Sequence, residues 1–206
     1  MSKHFSIFII GGAVLMLGAA SCMKPAADSE ASAAGGRVER GKYLVTIGGC
    51  NDCHTPLRMG PKGPEPDMTR MLSGHPESFS IAGGAAAPSA AWLMTMAASG
   101  TAFSGPWGVS FAANLTPDDN TGLGIWTEDM FVKAVRTGRH IGVSRPILPP
   151  MPWPNVGAMS DDDLKAVYAY LRSIQPIHNR VPEPLPPPSP AVAANHAATG
   201  EDVAVQ

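Results

Sequence analysis

Cysteine is scarce in this chain: there are three in 206 residues, Cys22, Cys50 and Cys53. No disulfide framework is needed to account for them, and a zinc site would want further cysteines or a spaced histidine pair. Charge is thin as well. Charged residues make up 16%, with 15 basic against 17 acidic side chains and a formal net charge of -2, so no basic patch points to nucleic acid. The one apolar run, Phe5 to Ala20, falls short of the roughly 20 residues that a membrane-spanning helix needs, and polar residues follow it abruptly. Internal repeats and a strand-helix-strand pattern are both missing, and the second absence argues against a redox dithiol of the kind that follows a strand. Glycine (22) and proline (21) are plentiful instead, which predicts one loop-rich domain with tails.

The N-terminus reads as an export signal over residues 1–21. Lys3 and His4 precede the apolar run, and small residues Ala19, Ala20 and Ser21 lead into Cys22. A small-residue stretch ending in one cysteine resembles the bacterial lipobox, although Ala19 stands where leucine is commonest. Lipid on Cys22 would tether the chain to a membrane in the periplasm; ordinary cleavage would leave Cys22 unmodified. Residues 22–36 read as a flexible linker, 37–181 as the folded domain, and 182–206 as a Pro/Ala-rich disordered tail.

Three helices are expected: about 38–48, about 128–137 with Thr127 as N-cap and Gly138 just past the end, and about 161–173 with Ser160 and Asp163 as a capping pair. Leu164, Val167, Tyr168 and Leu171 give the last of these a single apolar stripe. Between the first two helices lies a long irregular stretch, 55–126. Within it Trp92–Ala97 and Thr101–Phe103 flank Ser99-Gly100 and predict a short β-hairpin. A loop of that length in a compact domain needs another surface to pack against.

Residues 50–54 read Cys-Asn-Asp-Cys-His. On one helical turn Cys50, Cys53 and His54 project to the same side, so two thioether bonds can fix a macrocycle while the imidazole reaches its iron. This is the attachment spacing of c-type haem, and it predicts one covalently bound haem c. Gly48-Gly49 in front of the motif offers little bulk to a planar ligand. The sixth iron position is open to methionine, histidine or nothing. Met151 lies in Arg-Pro-Ile-Leu-Pro-Pro-Met-Pro-Trp-Pro, a stretch stiffened by five prolines, and is the candidate distal ligand. Met94, Met96, Met130 and Met159 read as core filling. His75 and His140 are the alternatives for a two-histidine site, each otherwise a surface imidazole. Trp107, Trp126 and Trp153 are either haem walls or ordinary core aromatics. Arg136 and Arg139 either pair with haem propionates or end a helix in solvent.

The Cys-Asn-Asp-Cys-His motif, Asn-Leu-Thr-Pro-Asp at 114–118, the Gly-Ile-Trp-Thr-Glu-Asp-Met-Phe helix entry, the Pro-Pro-Met-Pro-Trp loop and the Tyr-Ala-Tyr-Leu terminal helix together resemble a class I monohaem cytochrome c, similar to those serving periplasmic dehydrogenases. Over about 37–181 the resemblance implies a mainly α, small cytochrome c fold with long loops wrapped around one haem. It also implies first and last helices crossing near Gly41 and Tyr168, and His54 and Met151 as the iron's two axial ligands. The expected role is one-electron transfer between redox protein donors and acceptors rather than catalysis. The alternatives are an electron-accepting cytochrome subunit of a dehydrogenase and, with an open iron site, a peroxidase or gas-binding protein.

Overall fold

The computed structural model describes residues 26–81 and 92–187, with side chains from residue 32 onward. The export segment and Cys22 lie outside the described residues.

Helix α1 spans Ala26–Ile47. It therefore begins inside the segment expected to be a linker. Residues 26–36 are rich in alanine, the best helix former, and propensity carries the helix there. Packing does not, because residues 32–37 are exposed, and burial begins only at Gly41, Leu44 and Val45. The short helix α2 follows at Cys50–His54. Helices α3 (Glu128–Thr137), α4 (Trp153–Gly157) and α5 (Asp161–Ser173) complete the helical set.

Helices α3 and α5 start and stop where their caps dictate. Thr127 Oγ1 accepts from the Met130 amide at 3.2 Å, and Gly138 leaves the helix with φ 64° while its amide bonds Ala134 O. Ser160 Oγ accepts from the Asp163 amide at 3.1 Å. The Asp163 carboxylate is engaged elsewhere, accepting from Arg40 Nε at 2.9 Å, so it ties α5 to α1 rather than closing a capping box.

Helices α1 and α5 make the main helical contact. A Cβ placed on Gly41 would overlap the Ala166 carbonyl and press on Tyr170 Cβ at 2.8 Å, so only glycine lets the two backbones approach this closely. The crossing point is thus Ala166 and Tyr170. Tyr168, expected there, turns to the next face, where its hydroxyl donates to Trp126 O and its ring lies 5.7 Å from that of Phe131. The core beneath joins Leu44 and Val45 of α1 to Phe131 and Val135 of α3 and to Leu164, Val167 and Leu171 of α5, with Leu72 and Leu123 from the loops.

The long insertion is more regular than its sequence suggests. Strands β1 (Leu57–Gly60) and β2 (Gly63–Pro66) form one antiparallel hairpin. Strands β3 (Thr95–Met96), β4 (Ala102–Gly105) and β5 (Gly108–Phe111) form a second antiparallel sheet in that order. The β3–β4 pairing, Thr95 with Ser104 and Met96 with Phe103, is the hairpin expected around Ser99-Gly100. The partner β5 was not expected. Leu185 also bonds Val109 of β5, so the chain stays on the body beyond residue 181. Among the described residues the architecture is five helices with two small antiparallel sheets, more mixed than the mainly helical expectation.

Candidate functional site

Two glycines make the site's entrance. Gly48 donates to Leu44 O at 2.8 Å and Gly49 to Thr46 O at 3.2 Å, which closes α1. Gly49 has φ 65°, and this left-handed step swings the chain from α1 straight into α2. Turning the chain is the structural reason for this pair.

On α2, Cys50 and Cys53 are free thiols, both half-buried, one turn apart. Burial pushes both thiols up from their ordinary value. His54 ends the helix and is buried, at 8% exposure. Its Nδ1 lies 2.7 Å from Ala113 O. A carbonyl only accepts, so Nδ1 carries the proton. Burial holds the ring below the usual histidine value, partly offset by that same bond, so the imidazole is neutral. The lone pair is then on Nε2, which makes no hydrogen bond among the described residues. One helical turn therefore presents two unpaired thiols and one oriented, unprotonated imidazole nitrogen.

Segments distant in sequence hold this turn. Thr55 Oγ1 donates to Asn51 Oδ1 at 2.9 Å and accepts from the Leu72 amide at 2.9 Å. Gly74 donates to His54 O at 2.8 Å, and His75 to Ala112 O at 2.9 Å. Residues 72–75 and 112–114 thus lie side by side against α2. Leu115 N to Leu72 O, at 2.9 Å, continues the pairing. Sequence reasoning named neither Thr55 nor Ala113 for this site, because Leu72 and His54, which they bond, lie 17 and 59 residues away.

The other predicted residues fall as follows. Met151 is half-buried on its own loop. That loop is fastened to β5 by Ser110 Oγ donating to Pro149 O at 2.5 Å, and to the end of α3 by Ile147 N donating to Gly138 O at 2.8 Å. No hydrogen bond among the described residues joins Met151 to α2. His75 is not a surface imidazole: it is fully buried, its Nε2 donates to Phe79 O at 2.9 Å, and its Nδ1 sits 2.9 Å from Thr101 Oγ1. With both nitrogens engaged it has none to offer a metal. His140 is half-buried, edge-on to Trp126 at 5.2 Å. Arg136 is also committed, donating to Gly157 O and to Asp161 Oδ1, which pins α3 to the start of α5. Arg139 Nη1 donates to Ser144 O at 2.8 Å. Trp107 covers Gly105 and donates to Ser110 Oγ at 3.3 Å, while Trp153 lies against Gly138. Trp126 and Met159 pack on the core. Met130 instead caps α3, its sulfur 3.5 Å from Thr127 N. Met94 and Met96 are exposed, beside exposed Trp92 and Leu93, and fill no core.

No protein-family model matches the chain. It is 33% identical over 152 residues to the gluconate 2-dehydrogenase cytochrome c subunit of Pantoea cypripedii, covering 73% of this chain and 26% of that protein. It is 28% identical over 150 residues to the cytochrome c subunit of a quinone-type alcohol dehydrogenase from Gluconobacter oxydans, covering 71% and 24%. The fructose dehydrogenase cytochrome subunit of Gluconobacter japonicus is 27% identical over 165 residues, covering 80% and 27%. The chain spans about a quarter of the length of these relatives, each of which is a cytochrome subunit of a dehydrogenase.

Proposed function

We propose that this chain carries one covalently attached haem c and transfers single electrons without catalysing a reaction of its own. The observation that carries the reading is the α2 turn, where two unpaired thiols flank a buried imidazole whose Nδ1–H is committed to Ala113 O, leaving Nε2 for iron. The donor set fits the group: thioethers form at Cys50 and Cys53, and a neutral histidine held by a carbonyl is the usual second-shell arrangement for an iron ligand.

In this reading Cys50 and Cys53 would anchor the macrocycle, and His54 and Met151 would hold its iron. The haem supplies a reversible ferric/ferrous couple. A thioether ligand and a poorly solvated site both favour the ferrous state, so the midpoint potential is expected to be positive. The chain's own residues orient the imidazole and fix the loop that carries Met151, and a methionine held there would leave the iron no site open to substrate.

The names of the relatives favour a specific setting: an electron-accepting partner of a larger dehydrogenase, with a second redox protein downstream. Among the described residues no helix is long and apolar enough to cross a membrane. Export to the periplasm and lipid on Cys22 would tether the domain beside such a complex, with the residues after Cys22 as the spacer.

Mass spectrometry and visible spectroscopy of the protein matured in an exporting host test this directly. We expect one haem mass that survives acidified acetone, and a Met–iron charge-transfer band in the oxidised protein. Pigment extracted by the acid would refute the attachment. Loss of that band with the haem still bound would refute Met151 and favour an open-site haem protein. Co-purification with a dehydrogenase distinguishes the subunit from a free carrier.

A further inference from the structure

Asn179 lies beyond α5, far from the Cys-x-x-Cys-His turn in sequence, yet it is fully buried. Its Nδ2 donates to Ser73 O at 2.7 Å and His75 O at 2.9 Å, and its Oδ1 accepts from Arg70 Nη2 at 2.9 Å and the Glu77 amide at 3.0 Å. Every hydrogen-bonding position of the amide group is used, and all four partners lie on the segment 70–77. The main chain of Asn179 is held in turn, its N–H donating to Thr121 Oγ1 at 3.0 Å. Asn114 closes the other side: its Nδ2 donates to Ile177 O at 2.8 Å, and its Oδ1 accepts from Thr116 N and Thr116 Oγ1.

These bonds converge on the two segments that grip His54. Asn179 clamps the carbonyls on either side of Gly74, whose amide bonds His54 O. His75, inside the same clamp, bonds Ala112 O, next to the Ala113 carbonyl that fixes the imidazole. We infer that Asn179 is a positioning residue that, through residues 73–75 and 112–113, sets the length of the His54 Nδ1–Ala113 hydrogen bond and so tunes the electron-donating strength of the proximal imidazole. This rests on the haem reading above. A tight bond to a carbonyl gives the imidazole more anionic character and favours ferric iron, whereas a loose one favours ferrous iron.

The test uses the haem-loaded full chain and compares it with Asn179→Ala and the milder Asn179→Ser, both neutral changes that add no charge near the iron. The expected result is a midpoint potential above that of the unaltered protein. Exchange of the His54 Nδ1 proton with solvent, followed by NMR in the reduced state, should quicken on the order of tenfold. Val167→Ala, a core change on α5, serves as a control for destabilisation and should lower the melting temperature without moving either readout. In the unaltered protein the His54 Nδ1 proton and the amides of Gly74, His75 and Asn179 should open as one unit in native-state exchange, which needs no variant to fold. An unchanged potential and exchange rate in the Asn179 variants, or independent opening of these four protons, would overturn the positioning role while leaving the haem in place. Absence of acid-stable haem would sink the underlying reading instead, and the positioning role with it.

Discussion

Ser73 carries a hydroxyl that is fully buried and makes no hydrogen bond among the described residues, beside the carbonyl that Asn179 holds. A buried polar group without a partner keeps its desolvation cost and returns nothing. Ser73→Ala should therefore raise unfolding stability by about 1 kcal/mol, read by denaturant titration. A loss of stability would mean that the hydroxyl is satisfied in solution. The catalogue of chemistry-bearing residues was legible at this scale only where it was local. Cys50, Cys53 and His54 sit within one turn, so spacing alone revealed them. The exposure of Met94 and the burial of His75 depend on which strands pair, and no adjacent residue signals either. His75 bonds the nearby Phe79 O through Nε2, but its Nδ1 is closed by Thr101, 26 residues along the chain and beyond the β3 strand.

Helix α5 was readable to the residue because its signals are internal to it: Ser160 caps the start, and an apolar stripe runs from Leu164 to Leu171. The end of α1 was equally clear, whereas its beginning was not, since an alanine-rich stretch without packing partners looks the same whether coiled or helical. Strand β5 was hidden because Gly108–Phe111 is only four residues long and begins with glycine, too short a run for apolar alternation to register. The contact between α1 and α5 yields a sharp expectation. Gly41→Ala drives a methyl into the Ala166 carbonyl, which is backbone and has nowhere to move. We expect a loss of about 3 kcal/mol or failure to accumulate, measured by thermal melting. Gly36→Ala on the exposed part of the same helix, where nothing lies within 4 Å, should instead be neutral or stabilising.

Across the whole molecule, His75 couples stability to pH. Its ring is buried between Phe79 and Phe111 and held below the ordinary histidine value of 6.5, chiefly by burial. The unfolded chain takes up a proton at this position before the folded one does, so the stability contributed by neutral His75 is complete above pH 6.5 and declines as pH falls below it. Melting temperature followed from pH 8 to pH 5 should fall in the unaltered protein, and His75→Gln should remove part of that slope; an unchanged slope in the variant would assign it to other groups. The general outline of helices around one motif could be anticipated, because capping and periodicity are short-range. The way 70–77, 112–116 and 177–179 lock together could not, because it is written in pairs of residues up to 109 positions apart.

That long reach has a consequence for biogenesis. Along the chain the Cys-x-x-Cys-His turn precedes by 59 residues the carbonyl that aligns its imidazole, and the asparagine that braces the assembly comes later still. In the finished protein His54 is enclosed and both sulfurs are partly covered. On the proposed haem reading, a ligase that joins porphyrin to this motif would meet it more openly before those later segments close over it. Attachment would then precede closure, and the bonds among 70–77, 112–116 and 177–179 would form around the bound group.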